Sequence, residues 1–141
     1  MASDVSENLR RLVAERAGYR CEYCLLPEAF ALHRHEPDHI VPRQHDGATE
    51  PSNLALACLR CNRHKGPNVG SIDPITASLV PLFNPRTQEW RSHFEWDGVA
   101  VRPLTAVGRV TIRVLQLNAP DRLEERQRLF DLGAYFESPD R

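Results

Sequence analysis

Two C-x-x-C pairs, Cys21/Cys24 and Cys58/Cys61, constrain this chain more than any other feature. A two-residue spacer lets both sulfurs of a pair point at one ion, and two pairs complete the tetrahedral four-sulfur site that zinc prefers. Closing that site forces the segment between the pairs to fold back on itself. Four unliganded thiols or a redox pair are the competing readings. A chain of 141 residues supports one domain with a modest core, so a metal staple is an expected supplement. The first seven residues lack the basic start and apolar run of a signal peptide, and no stretch approaches the roughly 20 apolar residues that span a bilayer. The expectation is a cytoplasmic, membrane-free protein whose thiols stay reduced and available to metal.

Residues 4–17 predict an amphipathic helix: Val5, Leu9, Leu12, Val13 and Ala17 recur at helical spacing, Asp4-x-x-Glu7 suggests a capping box, and Gly18 a stop. Residues 30–41 read as extended chain interrupted by Pro37, and 54–57 as a second short strand. The loop 42–52 carries the turn residues Asp46-Gly47 and Pro51. Arg60 to Lys65 opens a short helix that ends near Gly66-Pro67. Beyond it, the proline-punctuated stretch 67–85 predicts irregular chain wrapping the core. Residues 93–101 predict a hairpin turning at Asp97-Gly98. Residues 105–117 fit helix and strand periodicity, with length favouring helix, and Pro120 starts a last helix running to about Leu132.

The chemistry lies between the cysteine pairs. Of the six histidines, all but His93 fall between His33 and His64, and Lys65 is the sole lysine. Cutting a phosphodiester needs an activated water, charge stabilisation on the phosphate and help for the leaving oxygen. His39 suits the first task, because a neutral imidazole accepts a proton readily near pH 7. Asp38 beside it offers a hard oxygen to a metal, and alternation on a strand points it the other way. Asn62 offers an amide oxygen to the same ion, and few protein ligands suffice for Mg²⁺. Lys65, three residues on and on the same helical face, is placed to neutralise a phosphate. Asn53 closes the loop and is placed to hold it in register. Arg43, Arg60, Arg63 and His64 are candidate nucleic-acid contacts, with ordinary surface charge as the competing reading. His33, His35 and His45 read more simply as packed or solvated residues, and Trp90, Phe94 and Trp96 as a packing face.

Cys21-x-x-Cys24, Asp38-His39-Ile40-x-Pro42, Gly47, Asn53-Leu54 and Cys58-x-x-Cys61-Asn62-x-x-Lys65-Gly66 together resemble the HNH endonuclease motif in its zinc-bound form. The resemblance covers residues 19–70. It implies a ββα-metal core (19–70); with the structural zinc on the four cysteines, the N-terminal helix and an α/β C-terminal extension (71–141) read above, the expectation is an α+β protein of a single domain, residues 1–141. The resemblance also implies one catalytic Mg²⁺ or Mn²⁺ on Asp38 and Asn62, His39 as general base, Asn53 as the loop-fixing asparagine, and products with 5′-phosphate and 3′-hydroxyl ends. Two positions depart from the family pattern. Asp46-Gly47 stands where a double glycine is frequent, and Asn62 where the namesake motif has its last histidine; His64 lies two residues too late to replace it. DNA is the expected substrate, with RNA left open by these residues. A net charge of −1 gives a weak field for nucleic acid, leaving room for a homodimer or partner protein to add affinity. A non-catalytic zinc-stabilised nucleic-acid-binding module is the alternative function.

Overall fold

The computed structural model describes residues 5–136. Ser6 caps the first helix, α1 (Glu7–Arg16), its hydroxyl accepting from the Leu9 amide at 3.1 Å. The capping box expected at Asp4 lies outside the described residues. Val13 is the inward residue of α1, and it meets Leu54 and Leu56 in a small apolar cluster. Arg16 adds two hydrogen bonds to the Pro51 and Leu54 carbonyls, and Arg10 pairs with Glu36. The helix is thereby clamped onto the strands that carry the reactive residues.

Those strands are β1 (Glu36–His39) and β2 (Leu54–Ala57), antiparallel, with Asp38 opposite Ala55 and His39 opposite Leu54. The expected extended run 30–41 shrinks to four residues. Glu28–Phe30 forms a 3-10 turn instead, and β2 must end at Cys58, which leaves residues 31–35 no partner strand. The next helix, α2 (Leu59–Lys65), begins on Cys58 as its N-cap and stops at Gly66, where φ is 49°. The result is a ββα unit.

The chain after α2 is more regular than its prolines suggest. A hairpin, β3 (Gly70–Ile72) with β4 (Leu79–Pro81), occupies the stretch expected to be irregular. Its prolines do not interrupt it, because Pro74 sits in the connecting turn and Pro81 ends a strand. The short α3 (Trp90–His93) leads into β5 (Phe94–Asp97) and β6 (Ala100–Pro103). Asp97 pairs with Ala100, so the turn is Gly98-Val99, one residue later than expected. Gly98 takes the positive φ of 62° that a tight turn of this kind requires.

Residues 105–117 resolve as helix: α4 (Ala106–Leu115), capped by Thr105 and ended by Gln116 in the left-handed region. Gly108 permits its close packing, since a Cβ there would lie 2.3 Å from the His93 carbonyl oxygen. Pro120 opens α5 (Pro120–Asp131). All four cysteines belong to the main apolar core, alongside Tyr23, Phe83, Phe94, Val110, Leu115 and Leu129. Among the described residues no helix is long and apolar enough to cross a membrane.

Candidate metal centre and active site

The four cysteines are buried and free of disulfides, and their sulfurs lie within 4.8 Å of one another. Cys24 Sγ and Cys58 Sγ are 3.7 Å apart, far beyond a disulfide bond. Four sulfurs at about 2.3 Å from a central ion would sit about 3.8 Å from each other, so the cage suits a structural zinc. In each knuckle an amide points back at sulfur: Cys24 N to Cys21 Sγ and Cys61 N to Cys58 Sγ, both at 3.5 Å. Burial pushes the Cys21 and Cys61 thiols up, while hydrogen bonds from Cys21, Cys58 and Cys61 pull Cys24 down. A bound cation would favour the thiolate forms that a four-sulfur site requires.

A side chain that the sequence reading missed completes this cage. Arg122 of α5 is buried and reaches Cys61 Sγ at 3.2 Å and Cys58 Sγ at 3.9 Å. Burial opposes its charge, but the sulfurs of Cys61, Cys24 and Cys58 outweigh that and raise its pKa. The available signal was the paucity of apolar residues in α5. An inward face through Leu129 at helical spacing must then include Arg122 and Arg126.

A second site lies where β1 meets α2. Asp38, His39 and Asn62 line one cleft of about 580 Å³, with Arg43 and Gln44 from the loop and Pro67 beyond the helix. The His39 ring sits with Nε2 2.8 Å from the Thr49 hydroxyl, a positioning contact that residue order alone does not reveal. Asp38 is nearly enclosed. Its Oδ2 accepts from the Tyr23 hydroxyl at 3.2 Å and pairs with Lys65 Nζ at 3.1 Å. Burial raises the Asp38 pKa, and Lys65 and Tyr23 offset part of that rise.

Lys65 differs from expectation. Its ammonium is buried and donates to the His39 and Ile40 carbonyls at 2.9 and 3.2 Å as well as pairing with Asp38. The helical face shared with Asn62 looks onto β1, so an inward-reaching lysine meets strand carbonyls before any phosphate. Asn53 sits where expected: its Oδ1 accepts from Val41 N, and its Nδ2 donates to the Val41 and Ala48 carbonyls. The loop it closes also depends on Gly47, where a Cβ would lie 1.6 Å from the Val41 oxygen. Asp46, at the first position of the family's frequent double glycine, has a φ of 65°, a conformation Asp tolerates better than most.

The candidate nucleic-acid contacts divide. Arg43 lines the cleft, whereas Arg60 is directed at Asp121 of α5, 3.2 Å away. Arg63 and His64 are exposed on α2, outside the cleft lining. His35 is buried, with Nε2 2.9 Å from the Leu26 carbonyl, and His45 contacts the Pro67 carbonyl at 3.1 Å. Trp90, Phe94 and Trp96 stack on one another, as a packing face should.

Residues 21–68 match the family model described as HNH endonuclease. This segment is similar to an HNH domain. The match spans about a third of the chain and contains both cysteine knuckles, the cleft residues Asp38, His39 and Asn62, and the loop between the strands. No curated protein and no solved structure matches the chain. The HNH domain points to nuclease-type activity or nucleic-acid binding. Arg122 and the core residues of β5, β6, α4 and α5 lie beyond the matched segment.

Proposed function

We propose that the protein is a metal-dependent endonuclease that hydrolyses DNA phosphodiester bonds. The observation that carries this reading is the shared cleft: two consecutive strand residues, Asp38 and His39, and one helix residue, Asn62, line a single cavity. A base and two oxygen donors are thus gathered in one place within the HNH segment.

His39 is the general base. It takes a proton from a water whose oxygen forms the new bond to phosphorus, while the bond to the 3′ oxygen breaks and leaves a 5′-phosphate. Thr49 orients the ring for that transfer. Asp38 and Asn62 would hold Mg²⁺ or Mn²⁺, a donor set that fits because such ions keep waters and bind substrate phosphate directly. When bound, the ion supplies Lewis-acid stabilisation of negative charge. Lys65 and Tyr23 act as positioning residues, since their bonds to Oδ2 fix the Asp38 carboxylate. Asn53 fixes the loop above them, and Arg43 is the arginine best placed to meet a phosphate.

Nicking of a plasmid in Mg²⁺ or Mn²⁺ tests the proposal. His39→Ala should lower the rate by about 10²–10⁴-fold while zinc content and circular dichroism stay unchanged. Undiminished cutting by the variant would exclude His39 as the base. A wild-type protein that retains DNA but never cuts it with either metal would instead be a binding module.

A further inference from the structure

The Arg122 guanidinium lies against two of the four cysteine sulfurs, and among the described residues no ion pair joins it to a carboxylate, although Glu125 lines the same recess. Its Nη1 donates to the Leu115 carbonyl at 2.8 Å and the Gln116 carbonyl at 3.4 Å, at the negative end of α4. Its Nη2 reaches Cys61 Sγ and Cys58 Sγ. A buried cation requires a buried anion, and a divalent ion on four thiolates carries a charge of about −2. The knuckle amides serve Cys21 and Cys58. Beyond the cysteines themselves, Arg122 is a donor that reaches Cys61.

We propose that Arg122 is the counter-cation of the metal–thiolate cluster, and that its own contact with Cys61 and Cys58, carried in by α5, slows metal loss. By drawing charge from Cys61 and Cys58, the guanidinium makes those sulfurs poorer nucleophiles and poorer targets for protons, both of which otherwise open a zinc–thiolate bond. It also guards an approach. A recess of about 200 Å³ beside α5 reaches down to the buried Cys24 and Cys58, with Arg122, Arg126 and Tyr135 in its wall. The proposal rests on a metal in the four-cysteine cage and is independent of the nuclease reading.

A control lies one turn away. Arg126 is also buried on α5 but donates to the Val99 and Leu117 carbonyls, bonds Tyr135 and covers the Trp96 ring. Zinc-loaded full-length wild type, Arg122→Met, Arg122→Lys and Arg126→Met are mixed with a chromophoric chelator well below their melting temperatures. The same samples are alkylated with iodoacetamide and the modified cysteines mapped by mass spectrometry. Arg122→Met should release zinc at least about tenfold faster than wild type, with Cys58 and Cys61 alkylated first. Arg122→Lys, which keeps the charge without the fork, should fall between. Arg126→Met should melt lower yet release zinc at the wild-type rate.

Release from Arg122→Met at the wild-type rate would overturn the proposal. So would equal acceleration in Arg126→Met, which would assign the effect to helix docking alone. If Arg122→Met does not fold, Arg122→Lys against Arg126→Met decides: no faster release from the lysine variant overturns it. A folded wild type that purifies without metal removes the premise, and no readout here depends on DNA cleavage.

Discussion

Lys65 lies on the α2 face that its spacing indicates, and its ammonium there meets two strand carbonyls and Asp38. Its spacing from Asn62 puts both on the α2 face toward β1, and the structure has them there. Which atoms an inward ammonium meets depends on the depth of the strand beneath it, and one-dimensional spacing carries no such depth. The consequence is measurable. Lys65→Met leaves the Asp38 carboxylate buried without its cation, at a cost of about 3–5 kcal/mol. Adding Asp38→Asn should recover part of that loss, and urea unfolding of the single and double variants measures the coupling. A double variant as unstable as the sum of the two singles would exclude the interaction. Asn53 was easier to read, because an amide closing a turn-rich loop has few other uses. Thr49 and Tyr23 were not legible: a hydroxyl acquires its partner only when the chain folds back.

At the scale of elements, the helices announced themselves through caps and stops, whereas the β3–β4 hairpin did not. Three-residue strands are too short for alternation to register, and Pro74 and Pro81 disguise them further. What holds this hairpin is Asp73 in its turn. The enclosed carboxylate receives Arg109 Nε at 2.8 Å and Nη2 at 3.0 Å, with the Thr76 hydroxyl at 2.8 Å and the Thr76 amide at 3.1 Å. Arg109 first, with Thr76 adding to it, holds the Asp73 carboxyl well below the usual carboxylate range. A carboxyl with a depressed folded-state pKa stabilises the fold above its unfolded value, about 3.9, and loses that effect as pH falls toward the folded value. Asp73→Asn should therefore trail wild type by a constant margin above about pH 4, and the margin should narrow below it. Denaturant unfolding across pH 2–7 measures the margin; one that widens toward acid would contradict the assignment.

For the whole molecule, the cysteine pairs were a good guide to architecture but not to its extent. They mark the ββα unit, yet the core around their sulfurs draws Phe83, Phe94, Val101, Leu115, Leu117, Leu129 and Tyr135 from the chain beyond residue 70. That dependence was hidden because the helix closing the cage presents arginines, which read as solvent-facing until their carbonyl partners are in view. Removing zinc should thus loosen far more than the HNH segment. Chelation under reducing conditions is expected to abolish protease resistance in α4 and α5 as well as in β1, β2 and α2, at the same chelator concentration. Persistence of a protected C-terminal fragment would show that the extension stands by itself.

The aromatic stack at the end of the fold has an optical consequence. The chain's two tryptophans, Trp90 and Trp96, lie 5.3 Å apart, and Trp96 also meets Phe130 at 5.2 Å and Tyr135 at 5.7 Å. The Arg126 guanidinium covers the same indole, and neither tryptophan lines the cleft that holds His39. Intrinsic emission of this protein is accordingly a gauge of how α5 is seated. A spectral change on adding nucleic acid would therefore report an event outside the His39 cleft, either movement of α5 or contact at the pocket that Trp90 and Trp96 line.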